Sequence, residues 1–243
     1  VCVNAQRPGP STGLPTRTEQ GDLQFALHAS QGEFPRIVMA PGDFVESFYH
    51  GFEAFNIAER YQTPVIVLTD KHLGESIKAI EPFNMEGMKV ERGKLLTQAE
   101  LDGLVESSKK VLADLEAKNP AMTTAEKYAL RGWNKPAADG NYLSPDENFL
   151  RYKFTEDGIS PRVIPGMKGG IHRAATDEHD ETGDLTETPE NRQMMVDKRE
   201  RKMELALKEL PAPFLVGADG KKWQGDAADL TFVTWGSPKE AIL

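Results

Sequence analysis

A single cysteine, Cys2, stands in the 243 residues. That scarcity excludes an intrachain disulfide framework, a cysteine-rich zinc centre and an iron–sulfur cluster held by this chain alone. It fits a reducing cytoplasm best. Long apolar runs are missing as well: nothing approaches the roughly 20 consecutive apolar residues of a membrane helix, and no signal-peptide pattern opens the sequence. Basic residues are in deficit, with 29 Lys and Arg against 38 Asp and Glu, for a formal charge of −9. Because phosphate backbones are bound by clustered Lys and Arg, neither nucleic acid nor a membrane is an expected partner. No Gly-Lys-Ser/Thr ending makes a Walker phosphate loop, and no His-Glu-x-x-His spacing makes a zinc hydrolase site.

What is present suffices for a sizeable core, since 39% of the residues are hydrophobic and 28% are charged. Three short β-branched runs lie at 1–3, 36–40 and 64–69. The last two are continuously apolar, which predicts strands of a parallel sheet covered on both faces. Between them, Phe44, Phe48, Phe52, Phe55 and Ile57 recur near the helical period, with Asp43 placed to cap the start. Thr16-Arg17-Thr18-Glu19 has the form of a capping box, predicting a helix over 17–29. The resulting β-α-β-α-β order predicts an α/β domain with right-handed crossovers.

Farther along, Leu101, Leu104, Val105, Leu112 and Leu115 predict an amphipathic helix. Residues 131–170, rich in Gly, Pro, Asn and Arg, predict a long excursion over the surface. The acidic segment 177–190 contains no Lys or Arg and reads as a mobile loop; a charged helix is expected over 194–210. Residues 229–238 read as a strand, a Gly236-Ser237 turn and a helix with Pro238 in its first turn. The expected division is one domain over 1–225, with an excursion at 92–190, and the first βα unit of a following α/β domain at 226–243. The strand-like start and the unfinished βα unit predict a chain cut at both ends.

The segment most informative about chemistry is Gln6-Arg7-Pro8-Gly9-Pro10-Ser11-Thr12-Gly13-Leu14-Pro15-Thr16. It follows a strand end and precedes a helix, where open parallel sheets bind ligands. Arg7 offers a planar fork for a carboxylate or phosphate. The hydroxyls of Ser11, Thr12 and Thr16, with free amides at the helix start, would complete an anion site. A rigid turn with a solvated Arg7 is the alternative reading. Lys71, at another strand end, can face an anion or form a surface salt bridge. Cys2 is expected as a buried strand residue. The group His172, Asp177, Glu178, His179 and Asp180 lacks any fixed metal spacing, so no metal is expected on it. Arg151 and Arg162 are expected to do ordinary loop pinning; a lid that they would anchor is implied only by the family resemblance of the segments that follow.

The block from Arg7 to Leu23 resembles the alpha subunit of 2-oxoacid:ferredoxin oxidoreductases. Gly32-Glu33-Phe34-Pro35-Arg36, Ala54-Phe55-Asn56-Ile57-Ala58-Glu59 and Tyr61-Gln62-Thr63-Pro64-Val65-Ile66-Val67-Leu68 share the likeness. A second signature is Arg151-Tyr152-Lys153-Phe154-Thr155-Glu156-Asp157-Gly158-Ile159-Ser160-Pro161-Arg162. The likeness is to the 2-oxoglutarate type.

The resemblance implies a thiamine-diphosphate-type pyrimidine domain with a parallel sheet flanked by helices, followed by the start of a transketolase C-terminal-like domain. It implies oxidative cleavage of a 2-oxoacid with coenzyme A to an acyl-CoA, carbon dioxide and reduced ferredoxin, or the reverse carboxylation. Thiamine diphosphate and magnesium would sit at the interface with a beta subunit that carries a [4Fe–4S] cluster. Substrate-binding roles map onto Arg7 and Thr16, and no catalytic residue is expected on this chain. The family's upstream Tyr-Pro-x-Thr-Pro segment and the glutamate facing the aminopyrimidine are expected before Val1. Pro8 replaces a glycine common in the family, and the helix over 101–115 is expected as a local insertion. Pyruvate and branched-chain 2-oxoacids are the alternative substrates, and a non-catalytic binding scaffold is the alternative of another class.

Overall fold

The computed structural model describes residues 1–121, 123, 149–217, 219, 221–225 and 229–243. The chain divides into two compact units, Val1–Gly93 with Met203–Leu243, and Lys94–Lys202.

The first unit carries a sheet of three parallel strands, β1 (Cys2–Gln6), β2 (Ile37–Met39) and β3 (Val65–Asp70), in the order β1-β3-β2. The register sets Gln6 opposite Asp70 and Ile37 opposite Val65. Helices α1 (Leu23–His28) and α2 (Phe44–Tyr61) make the crossovers that parallel pairing requires. The expected α/β architecture is therefore present. Central β3 buries Val65, Val67, Leu68 and Asp70, as its unbroken apolar run predicts. Cys2, by contrast, is exposed. Among the described residues its strand pairs with β3 alone, and the expected burial does not occur.

Asp43 caps α2 as expected, its Oδ1 accepting from the Glu46 amide at 2.8 Å. Glu46 answers by accepting from the Gly42 amide at 2.7 Å. Lys239 donates to Asp43 Oδ2 at 2.7 Å and also bonds Glu46. Burial pushes the Asp43 carboxyl up, but the Glu46 amide and Lys239 outweigh it and hold the group below its usual range. At the other end, Gln62 adopts φ 48°, the left-handed conformation that stops a helix. The buried face of α2 runs through Ala54 and Tyr61, which leaves Phe55, placed on the apolar stripe by periodicity, exposed.

The helix expected over 17–29 is much shorter. Helix α1 begins only at Leu23, and the Thr16–Glu19 capping box does not form. Long-range bonds hold the preceding turn instead: Asn4 Nδ2 donates to Asp22 Oδ2 at 2.8 Å, and the Asp22 amide donates to Gln6 Oε1 at 3.1 Å. Residues 230–235 also depart from expectation. Their strand-like run pairs with no strand among the described residues, and Leu230, Phe232 and Val233 are exposed. The helix that follows, designated α6 (Lys239–Ile242), forms after Pro238 as expected.

In the second unit, α4 (Gln98–Lys118) buries Leu101 while Leu104 stays exposed. Of the expected stripe, Leu112 and Leu115 have side chains outside the described residues. The capping box of α4 is Thr97-x-x-Glu100: Thr97 donates its amide to Glu100 Oε2 at 2.7 Å, and the Glu100 amide donates to Thr97 Oγ1 at 3.3 Å. Within the excursion expected at 92–190, residues 124–148 lie outside the described residues. Helix α5 (Pro189–Glu209) starts five residues before the expected 194, with Pro189 in its first turn, where a missing N–H costs nothing. Among its described residues, this unit buries Leu101, Phe149, Ile159 and Met195.

The acidic segment read as mobile is bonded along its length. Arg199 grips Glu178 through both carboxylate oxygens at 2.9 and 2.8 Å, and Arg192 adds a contact of 3.0 Å. Asp180 Oδ1 accepts from the Thr182 amide at 2.8 Å, and Asn191 donates to the His179 carbonyl at 3.0 Å. The Arg199 bonds hold the Glu178 carboxyl below its usual range despite burial. Glu178→Gln is expected to lower stability at neutral pH by about 2 kcal/mol, the scale of a charge-assisted pair left half-made. A folded pKa below the unfolded one means this contribution is complete above roughly pH 4.3 and is lost as pH falls through the folded value. Urea unfolding of both proteins should therefore show the difference at pH 7 and converge in acid. An equal difference at both pH values would contradict the assignment.

Candidate functional site

The carboxyl ends of parallel strands form the open edge of such a sheet, and the segment after β1 leaves from that edge. Gln6 and Asp70, paired at this edge, are both buried. Gln6 is satisfied by the Thr69 carbonyl, which accepts from its Nε2 at 3.2 Å, and by the Asp22 amide. Asp70 caps helix α3 (Lys71–Glu75), its Oδ1 accepting from the Leu73 amide at 2.9 Å. The long-range partners of Gln6 have no signature in the sequence; the three-residue spacing from Asp70 to Leu73 is the kind of capping signal that could have been read. Lys71 pairs with Glu75, which is the salt-bridge reading.

Arg7 is the first residue beyond that edge. Its Nε donates to the Pro15 carbonyl at 3.0 Å and its Nη1 to the Ala5 carbonyl at 3.0 Å. The side chain thus closes the loop from Arg7 to Thr16 and brings its two ends together. Within the loop the Leu14 amide donates to the Pro8 carbonyl at 3.3 Å, and the Gly9–Pro10 peptide is cis. Gly13 is required by space: a Cβ there would stand 2.7 Å from the Gly9 carbonyl oxygen. The guanidinium has five N–H donors, and two are spent on the loop. The rest have no acceptor among the described residues, and Arg7 is half-exposed.

Ser11, Thr12 and Thr16 are all exposed, and none of their hydroxyls is hydrogen-bonded among the described residues. Ser11 lies at φ 55°. Thr16 directly follows the Pro15 carbonyl that Arg7 grips, so these two residues are drawn together; Ser11 and Thr12 share the loop without a bond to Arg7. The helix amides expected to complete the anion site do not contribute, because α1 starts at Leu23 and the Asp22 amide is spent on Gln6. Thr18 and Gln20, missed in the sequence reading, anchor the loop's far side: Thr18 accepts from the His72 amide at 3.4 Å, and Gln20 donates to the Trp235 carbonyl at 3.0 Å.

Among the described residues no group of three or more His, Cys, Asp or Glu side chains can hold a metal ion. No helix among them is long and apolar enough to cross a membrane. Arg162, a candidate lid anchor, has its backbone paired to Lys94 and Leu96 at 2.9 Å on each side, which is loop pinning.

The family model described as pyruvate flavodoxin/ferredoxin oxidoreductase, thiamine diphosphate-binding, matches residues 1–129. The 2-oxoacid:ferredoxin oxidoreductase subunit alpha of Saccharolobus solfataricus is 38% identical over 239 residues, covering 98% of this chain and 30% of that protein. The 2-oxoglutarate synthase subunit KorA of Archaeoglobus fulgidus is 46% identical over 86 residues, 34% of this chain and 25% of that subunit. A solved structure, the 2-oxoglutarate:ferredoxin oxidoreductase from Magnetococcus marinus with 2-oxoglutarate, coenzyme A and succinyl-CoA bound, superposes with a TM-score of 0.63 at 31% identity. It covers 86% of this chain and 28% of its own. The chain spans about a third or less of the length of the relatives it matches. With its parallel sheet and the loop at the strand ends, it belongs to the pyruvate flavodoxin/ferredoxin oxidoreductase, thiamine diphosphate-binding family.

Proposed function

We propose that this chain is the substrate-facing portion of the alpha subunit of a 2-oxoacid:ferredoxin oxidoreductase of the 2-oxoglutarate type. In this reading the assembled enzyme converts 2-oxoglutarate and coenzyme A to succinyl-CoA and carbon dioxide, passing the electrons to ferredoxin, or runs the reverse carboxylation. A beta subunit supplies the diphosphate-binding domain, magnesium and the [4Fe–4S] cluster. The observation that carries the reading is the Arg7 guanidinium, fixed at the open sheet edge by the Ala5 and Pro15 carbonyls with donors left over. Those donors suit a substrate carboxylate, which accepts a planar fork through two oxygens. Thr16, and less directly Ser11 and Thr12, would add hydroxyl donors.

Thiamine diphosphate supplies the carbanion chemistry when bound. Of the carboxylates near this edge, Asp70 at the end of β3 accepts from the Leu73 amide, and Asp22 ahead of α1 accepts from Asn4. The part assigned to this chain's own residues is to bind and orient the 2-oxoacid. Residues 226–243 are proposed as the opening of a following α/β domain, and residues 1–225 as the pyrimidine-type domain.

The test is acceptor reduction by the assembled protein with 2-oxoglutarate, pyruvate and a branched-chain 2-oxoacid, each with and without coenzyme A. Coenzyme A-dependent reduction is expected, with a kcat/KM for 2-oxoglutarate at least ten-fold above that for pyruvate, since a second carboxylate adds at least one charge-assisted bond. Reduction favouring pyruvate would transfer the assignment to the other substrate type. No reduction by any of the three would overturn it in favour of a binding scaffold.

A further inference from the structure

Beside the N-terminus of α2 the first unit holds an open cavity of about 340 Å³. Three stretches of chain wall it: the first turns of α2, residues 78–83 after α3, and Glu240 of α6. Phe44, Tyr49 and Phe83 supply aromatic rings to the lining. Val45 and Ile80 add aliphatic surface, and both remain exposed.

These walls are braced by the protein's own contacts. Phe83 stacks on Phe48 with ring centroids 3.9 Å apart and an interplanar angle of 8°. The Tyr49 hydroxyl donates to the Asn84 carbonyl at 3.0 Å and accepts from the Asn84 amide at 3.1 Å, which ties the second wall to α2. Lys78 pairs with Glu240 and so joins the second wall to the third.

Charge on the lining is mainly of one sign. It carries three carboxylates, Asp43, Glu81 and Glu240, against one cation, Lys78. Lys78 serves Glu240, and Lys239, outside the lining, is shared between Asp43 and Glu46. Glu81 has neither an ion pair nor a hydrogen bond among the described residues.

We propose that this cavity binds a small organic cation, a protonated amine carried on an apolar body. Its volume lies in the roughly 300–1,000 Å³ range of small-molecule sites, and an apolar lining with a few polar groups is their usual make-up. The aromatic rings attract a cation and the aliphatic groups take up the body. Glu81 offers an acceptor for the ammonium N–H groups. An anion of the same shape would meet the carboxylates as like charges. The assignment is independent of the role given to Arg7.

The test is a ligand-observed NMR titration of the assembled protein with phenethylammonium, phenethyl alcohol, 3-phenylpropionate and methylammonium at constant ionic strength. Saturable binding of phenethylammonium is expected, roughly five-fold tighter than that of the alcohol, the scale of a partly solvated charge contact. Phenylpropionate should bind more weakly than either. Methylammonium, with the charge but not the body, should bind roughly ten-fold or more below phenethylammonium. Glu81→Gln should shrink the preference for the amine over the alcohol. Ile80→Arg should weaken binding of phenethylammonium by placing a tethered guanidinium in the cavity. Both positions are exposed, so both variants are expected to fold, and the comparison among probes stands on the parent alone. The proposal is overturned if phenethylammonium does not saturate, or if phenylpropionate or methylammonium matches it. It is equally overturned if Glu81→Gln keeps the parent's preference, or if Ile80→Arg binds phenethylammonium like the parent.

Discussion

Arg7→Ala is expected to lower kcat/KM for the 2-oxoacid by about 10²- to 10³-fold in the assembled enzyme. A charge-assisted bidentate contact to a carboxylate contributes roughly 3–4 kcal/mol when one partner is removed, and each 1.4 kcal/mol is a factor of ten. The way the loss divides is informative. A carboxylate remote from the reacting bond is held equally in ground and transition states, so most of the effect should fall on KM. If Arg7 also aligns the keto carbon, kcat falls with it. The variant acts on the loop too, because Arg7 holds the Pro15 and Ala5 carbonyls. Arg7→Lys separates the two roles: an ammonium keeps the charge but cannot span two carbonyls and a carboxylate in one plane. An intermediate loss is expected for lysine. Steady-state kinetics showing unchanged KM and kcat in Arg7→Ala would remove Arg7 from the substrate site.

The second large effect belongs to Gly158→Ala. Gly158 lies at φ +73°, and a Cβ there would stand 2.3 Å from the Lys198 carbonyl oxygen, a backbone atom of α5. The left-handed conformation costs a residue with a side chain about 1–2 kcal/mol, and forcing the contact apart adds about 1–3 kcal/mol. A loss of about 3 kcal/mol should lower Tm by about 10 °C in a protein of this size. The backbone shift would also disturb the Arg201 bond to the Thr155 carbonyl, 3.0 Å in the parent. Differential scanning calorimetry of the two proteins is the measurement, and a Tm within 2 °C of the parent would show that the loop yields without strain.

Features that depend on neighbours along the chain were the ones legible in the sequence. The unbroken apolar run of β3 and the Asp43 cap of α2 need only local residues, and both formed where expected. The Thr16 capping box had an equally good local pattern and failed, because Asn4 and Gln6 reach across to Asp22 and stop the helix from starting earlier. Thr97 and Glu100 carried the same kind of pattern and made the box, with no distant competitor. Pattern alone does not separate these two cases; the distant hydrogen bonds do.

The same distinction runs through the candidate site. The position of Arg7 at a strand end follows from the order of the elements. Its bonds to the Ala5 and Pro15 carbonyls do not, since backbone oxygens carry no residue-specific signal. Glu178 and Arg199 are 21 residues apart, and only the folded loop joins them. Lys198 donates to the Tyr152 carbonyl across 46 residues, a contact that was likewise invisible.

The buried pair at the sheet edge bears on how this protein can change over time. Gln6 and Asp70 satisfy the strand ends with their own amide and carboxylate, and neither needs a bond from residues 7–16. The buried pair is thus independent of the segment proposed to meet the substrate, whose one side-chain tie to the strand is the Arg7 bond to the Ala5 carbonyl. On the proposed substrate role, substitutions at positions 8–14 of that segment are expected to retune which acid is accepted at little expense to stability, and related proteins to diverge in preference there.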